Sequence, residues 1–380
     1  MTNVVIDLSN MVFRSMFVVG GFGAKSFTFD TQYEVDQLMR KISTDVSYII
    51  RQVNGSRVIF ALDSKSWRKS IAIDENDGYK ANRDKNGAIN WENVFNALNE
   101  FGSIMHENGF IVSKIDNAEA DDIISLWRDE LLVNQGQHVV IVSSDEDVRQ
   151  LVGSFPTEDK LSFCVVFNPF AAGKPATKKV FVPAQFEEWL NTNDEGDIFN
   201  RSIDVDKEDF RRLRDSDKIT VETIDGPSIA LRKVFCGDDG DNIPSIYSWL
   251  GTNGKVVRIT ESKFQKIVSS INAKSYTDIM PNRDKVFEHL TTIAGHTPSI
   301  NIKDRIERQL KLVVLDRSMF PKDIVEKFDV HIVDELKRPY IQAQKYNMNT
   351  MLSGTRYVRS KPGTESSIFR EFDTLNSKLY

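Results

Sequence analysis

The chain has 380 residues, 40% of them hydrophobic and 27% charged, the composition of a soluble globular protein that buries a large core in one elaborated domain or two. No apolar run approaches the roughly 20 residues of a bilayer span, and Cys164 and Cys236 lack any CxxC or Cys/His spacing, so neither a disulfide framework nor a zinc site is indicated. A net charge of −6 argues against wholesale coating of nucleic acid while leaving room for local basic grooves beside an acidic site.

Met1 leads straight into a strand pattern rather than a signal segment, so the expected location is the cytoplasm. Residues 2–8 (TNVVIDL) form an unbroken apolar, β-branched run suited to a parallel sheet covered on both faces, with Asp7 inside it. A buried Asp costs several kcal/mol unless it is paired or metal-bound, and Ser9-Asn10 behind it reads as a turn or helix cap. The spacing of Leu38, Ile42, Val46, Ile49 and Ile50 predicts a helix over 36–52. Residues 57–63 (RVIFALD) repeat the first pattern, an apolar strand ending in Asp63. Strand, helix, strand points to an α/β domain, in which ligands bind at the carboxyl ends of the strands, so Asp7 and Asp63 should face one crevice. Alone, Asp63 reads equally well as a cap.

From 65 to 85, Lys65, Arg68, Lys69, Lys80, Arg83 and Lys85 cluster with Trp67 and Tyr79 interleaved. A charge run is ordinarily a solvated face, but bases beside planar aromatics suit phosphate contact and base stacking. A helix over 91–105 and a strand over 110–115 lead to Asn117-Ala118-Glu119-Ala120-Asp121-Asp122, three carboxylates in four positions at a helix start. The plain reading of that cluster is capping and helix-dipole complementarity. Residues 139–147 (VVIVSSDED) form the next strand; Asp145 and Asp147, two apart, face the same way and can share a cation, while Glu146 turns aside. A short helix is predicted over 148–152 and a hairpin over 155–181, turning at 172–175. Residues 183–216 are charged, with Phe186, Trp189, Leu190, Phe210 and Leu213 as apolar anchors, and read as a helical insertion or loop. In 234–244 (VFCGDDGDNIP) two glycines permit a tight turn with Asp238 and Asp241 on one side, a pattern shared with flexible surface turns. Helices follow over 260–272 and 302–328. The end, 366–380, spaces Ile368, Phe369 and Phe372 like an amphipathic docking peptide. The organisation expected is an α/β core over 1–155 with a basic bridge at 65–105, a hairpin and insertion over 156–225, a helical region over 226–345 and a tail over 346–380.

None of these acids has a base beside it in sequence. Should Asp7, Asp63, Glu119, Asp121, Asp122, Asp145, Asp147, Asp238 and Asp241 converge, two unit charges at 4 Å repel by ~4 kcal/mol at an effective dielectric of 20, so protonation or bound cations must relieve them. Oxygen ligands without His or Cys select Mg²⁺, with Mn²⁺ as a substitute, and two such ions suit phosphodiester hydrolysis. Acids scattered over separate surfaces, or a lysine seated among them, would argue against this.

VVIDLSN, VIFALD, WRKS with GYKANR, AEADD, VIVSSDED and GDDGDNIP, in this order and spacing over about two thirds of the chain, resemble the flap endonuclease and 5′-to-3′ exonuclease family. The likeness is greatest to the branch of the ribonuclease H of T-even bacteriophages. The resemblance implies a PIN-like domain with a mainly parallel sheet, a helical bridge or arch and a C-terminal helical DNA-binding region. It also implies a two-metal nuclease that acts on 5′ ends, flaps and RNA–DNA hybrids and removes primers during phage replication. By the same resemblance Asp7, Asp63, Glu119, Asp121, Asp145 and Asp147 match metal ligands, and Asp122, Asp238 and Asp241 match outer acidic positions. Arg68, Lys80 and Arg83 match basic residues that steer the scissile phosphate, and Arg14 is assigned likewise. Lys69, Tyr79, Lys85 and Lys255 complete the expected nucleic-acid contacts. SIYSWLGTNGKVVRIT stands where relatives carry a Gly-rich potassium-binding helix-turn-helix, which puts potassium in doubt. A monomer is expected, with a single-stranded DNA-binding protein or sliding clamp as the partner of the tail. The alternatives are a PIN-type endoribonuclease, which lacks the basic bridge and the GDxxDN turn, and a non-catalytic DNA-binding scaffold, which would have lost ligands.

Overall fold

The computed structural model describes residues 2–20, 27–54, 57–73, 78–82, 88–157, 161–172, 177–191, 201–216, 219–251, 253–298 and 301–338. Arg83, Lys85, most of the 172–175 turn and the 366–380 peptide lie outside these residues. β1 (Thr2–Asp7) runs directly into α1 (Leu8–Gly20), and α2 (Gln32–Val53) starts earlier than its apolar stripe because Thr31 and Glu34 form a reciprocal capping box. Then come β2 (Arg57–Ala61), α3 (Trp91–Glu107), β3 (Ile111–Ser113), α4 (Ala120–Arg128) with a π-helical extension over Asp129–Asn134, and β4 (His138–Val142). β5 (Gly153–Pro156), β6 (Leu161–Ala172), β7 (Thr177–Val182), α5 (Phe186–Asn191), α6 (Arg201–Arg214) and β8 (Ile219–Thr223) extend this layer. The rest is α7 (Gly226–Cys236), β9 (Ser248–Leu250), β10 (Val256–Arg258), α8 (Glu261–Ile271), α9 (Arg283–Ala294), α10 (Ile302–Val313) and α11 (Lys322–Glu335).

The main sheet has the order β3-β2-β1-β4-β6-β7-β8, with β5 beside β6, and is parallel except at the β5/β6 and β6/β7 pairings. Its central strands β1, β2 and β4 are buried at every position because both faces of the sheet are covered there. Val4, Ile6, Phe60, Val140 and Val142 pack on one side with α1 to α3, while Val5, Ile59, Val139 and Ile141 pack on the other with α4 and α11. The hairpin expected over 155–181 continues this sheet as β6 and β7, and the described part of the insertion is helical and anchored by the five apolar residues expected, with the Trp189 ring 4.8 Å from Phe163.

The helical region over 302–328 is made of two helices, broken where Pro321 caps α11, and α11 turns back to the sheet with the Phe328 ring 5.5 Å from Trp127. Within the bridge at 65–105, the described residues up to 82 form one 3₁₀ turn, Trp67–Ser70, and tight turns, and its last part is helical in α3. A third core, built from α7 to α10, includes Tyr79 from this bridge.

Candidate metal centre

After β1, β2 and β3 spread to one side, β4 pairs on the other side of β1, so the sheet has a switch point at the carboxyl ends of β1 and β4, where ligands collect in open α/β sheets. Asp7 ends β1 there; its carboxylate accepts the Asn10 amide at 2.9 Å and the Ser143 hydroxyl at 2.8 Å. Asp63 accepts the Ala120 amide at 2.7 Å and so caps α4, while Ser9 holds its own N–H at 2.9 Å. Asp145 accepts the Asp147 amide at 2.9 Å, and Asp147 opens a 3₁₀ turn over Asp147–Leu151. The pair is therefore brought together by a turn and not by an extended strand; Glu146 does turn aside, to Arg149 at 3.1 Å.

At the start of α4 the acids divide. Asp121 lies within electrostatic reach of Asp145, Asp7 and Asp147. Asp122, expected among the metal positions, is fully buried and committed elsewhere: it accepts Trp67 Nε1–H at 3.0 Å and the Glu119 amide at 3.1 Å, and it pairs with Arg68 at 2.7 Å. That geometry makes it a structural anchor. Arg68 is itself only 2% exposed and also pairs with Glu119 at 3.1 Å, so its guanidinium faces these acids and not a surface phosphate. Tyr79 is buried as well, its hydroxyl donor placed between Glu119 at 3.2 Å and Asp241 at 3.0 Å, which removes it from base stacking. Arg14, on the exposed side of α1, donates Nε–H to Ser144 at 2.9 Å, and Lys69 and Lys255 are exposed.

The expectation that no base neutralises these acids does not hold, and the lysine among the acids that would argue against a metal centre is present twice, because bases arrive from elements distant in sequence. Lys80 Nζ lies 2.6 Å from Glu119 and 3.7 Å from Asp241. Lys233, absent from the residues singled out in the sequence, bridges Asp147 and Asp238, the latter at 2.6 Å. Its one sequence signal is a lysine three places on from Ala230 and next to Val234 on the buried face of α7. Asp238 and Asp241 thus serve different bases across one turn.

Burial pushes the Asp7 carboxyl up to about 8, with Asp63 adding to the rise, while its lowering partners are hydrogen bonds from Asn10 and Ser143. Burial followed by Asp145 and Asp7 raises Asp121 as well, and burial lifts Asp147 to about 6 against the pull of Lys233. Burial works in the same direction on Glu119, but Lys80 and Arg68 hold it down to about 2. Burial would lower the Lys80 and Lys233 ammonium groups; Glu119 and Asp147, respectively, keep them above their usual range. The centre is therefore a rim compensated by lysines around a set of acids that repel one another. Among the described residues, no three acidic side chains already stand as a group that would hold a metal ion.

Residues 2–167 match the model of the 5′-3′ exonuclease N-terminal resolvase-like domain. Two crystal structures of bacteriophage T5 proteins share the fold over 89% of this chain and 100% of theirs. One is a T5 protein co-crystallised with metal ions (16% identity, TM-score 0.51), the other a T5 flap endonuclease in a pseudo-enzyme-product complex with DNA and metal ions (15% identity, TM-score 0.51). A T5 5′-exonuclease with bound zinc aligns equally well, at 15% identity and a TM-score of 0.51. No curated protein sequence matches the chain.

Proposed function

On the premise that residues 2–167 are the resolvase-like N-terminal domain of the 5′-3′ exonuclease family, we propose that the chain is a Mg²⁺-dependent, structure-specific 5′ nuclease. It cuts DNA at 5′ ends and flaps and acts on RNA–DNA hybrids, as primer removal in phage replication in the host cytoplasm requires. The observation that carries this reading is the gathering of Asp7, Asp121, Asp145 and Asp147 at the switch point of the sheet, carboxylates within electrostatic reach of one another. The donor set consists of carboxylate oxygens, which suits a hard divalent cation, and such a cation would have to displace Lys80 from Glu119 and Asp241 and Lys233 from Asp147 and Asp238. Asp7, Asp63, Glu119, Asp121, Asp145, Asp147, Asp238 and Asp241 would hold two such ions, and Asp122 is left out by its bond to Arg68.

The chemistry that the bound ions supply is activation of a water and neutralisation of charge on the leaving oxygen. The protein's part is positioning. Asn10 and Ser143 fix the Asp7 carboxylate, and Ser9 with the α4 N-terminus fixes Asp63. Lys80, held on Glu119 at the edge of the centre, would steer the phosphate of the strand to be cut, and Arg14 and Lys69 would extend positive charge outward along the surface. The test is Asp145→Asn on a 5′-flapped DNA. Cleavage should fall by at least about a thousandfold with DNA binding kept, and full retained activity would reject the assignment. Single-stranded RNA run beside the flap substrate should be cut far more slowly.

A further inference from the structure

We propose that Lys233 is a built-in counter-ion: its ammonium stands between Asp147 and Asp238 in the place a divalent cation would take, and cation binding there requires it to leave. This rests on the metal-dependent reading above. The two carboxylates come from the turn after β4 and the turn after α7, and Lys233 is the bridge between them, 7% exposed and 2.6 Å from Asp238. A lysine in the last turn of a helix would ordinarily extend to solvent and interact with the helix dipole; this one lies on the buried face of α7 beside Val234.

An ammonium and a divalent cation cannot share the same two carboxylates at contact distance, because like charges there repel by several kcal/mol. Lys233 also has somewhere to go. It lines a cleft of about 390 Å³ with Glu146, Cys236, Asp238 and Arg258, so the side chain can swing out without unfolding α7. Lys80 serves the other half of the centre, on Glu119 and Asp241, which leaves the Asp147–Asp238 pair dependent on Lys233. Because coupling is reciprocal, the cation weakens the lysine bridge by as much as the lysine weakens cation binding.

Calorimetric titration of the metal-stripped full chain with Mn²⁺ tests this. Lys233→Met should bind at one site at least about tenfold more tightly than the wild type, about 1.4 kcal/mol. Equal or weaker binding by the variant overturns the counter-ion role alone, whereas no binding by either protein overturns the metal-dependent reading along with it. A second readout needs no variant to fold: acetylation of Lys233 in the wild type, followed by mass spectrometry, should quicken at least about threefold on saturation with Mg²⁺ while that of Lys69 is unchanged. An unchanged or slower rate at Lys233 also overturns the proposal.

Discussion

Asp7 is 3% exposed and its carboxyl stands at about 8 in the folded chain against 3.8 unfolded, so between those values the folded state binds the proton and the unfolded state does not. Stability from this group is complete below about pH 4 and is lost as pH rises through 8. Metal-free protein in chelator should therefore melt several degrees lower at pH 8.5 than at pH 6, a loss on the order of a few kcal/mol. Asp7→Asn should flatten that dependence and Mg²⁺ should abolish it in the wild type; a melting profile insensitive to both would remove the charge argument. Arg68 illustrates the opposite balance. It is buried against Asp122, so Arg68→Ala leaves a carboxylate without its partner and should cost about 3–5 kcal/mol in denaturant unfolding. Arg68→Lys should recover only part of this, since an ammonium lacks the planar fork. A surface phosphate ligand would show no such loss.

The bridge and the acidic turn are fastened as one unit. Lys80 N–H donates to the Asp241 carbonyl at 2.9 Å, Asn82 Nδ2 to Asp239 at 2.7 Å, and Asn242 Nδ2 to Gly78 at 2.8 Å. Lys80 and Asn242 both sit at positive φ, 58° and 57°, so each half of the latch holds a backbone that a non-glycine residue adopts at a cost. Asn242→Ala should therefore speed amide exchange in residues 78–82 and slow cleavage, with exchange in β1 and β4 unchanged; uniform protection along the bridge would detach it from the turn. This fastening was not legible in the sequence, although its parts were. Apolar runs ending in Asp7, Asp63 and Asp145 could be read because buried strands announce themselves by composition and their ends by the first charge. The partners of those acids could not. Lys233 meets Asp147 only through the packing of α7 on the turn after β4, and Asp122, one residue from Asp121, differs from it only in the direction it takes from the helix start.

For the whole molecule, composition and strand pattern were enough to expect a parallel α/β core, while the return of α11 to the sheet depends on a fit to Trp127 that no local pattern encodes. The net charge of −6 must also be reconciled with a polyanionic substrate. Acids concentrate at the centre, and exposed bases stand around and beyond it: Arg14 on α1 at its edge, Lys69 in the bridge and Lys255 in the β9–β10 loop, whose turn is closed by the Gly251 amide donating to the Lys255 carbonyl at 2.8 Å. If duplex DNA runs along the helical region, Lys255 contacts a phosphate and releases a counterion on binding. Lys255→Ala should then weaken flap DNA uniformly across sequences and reduce the slope of log K against log salt by about 0.9, with the rate of cleavage at saturating DNA unchanged. Filter binding between about 50 and 200 mM salt measures the slope directly. A slope equal to that of the wild type would take the β9–β10 hairpin out of the path of the duplex and leave recognition to the bridge.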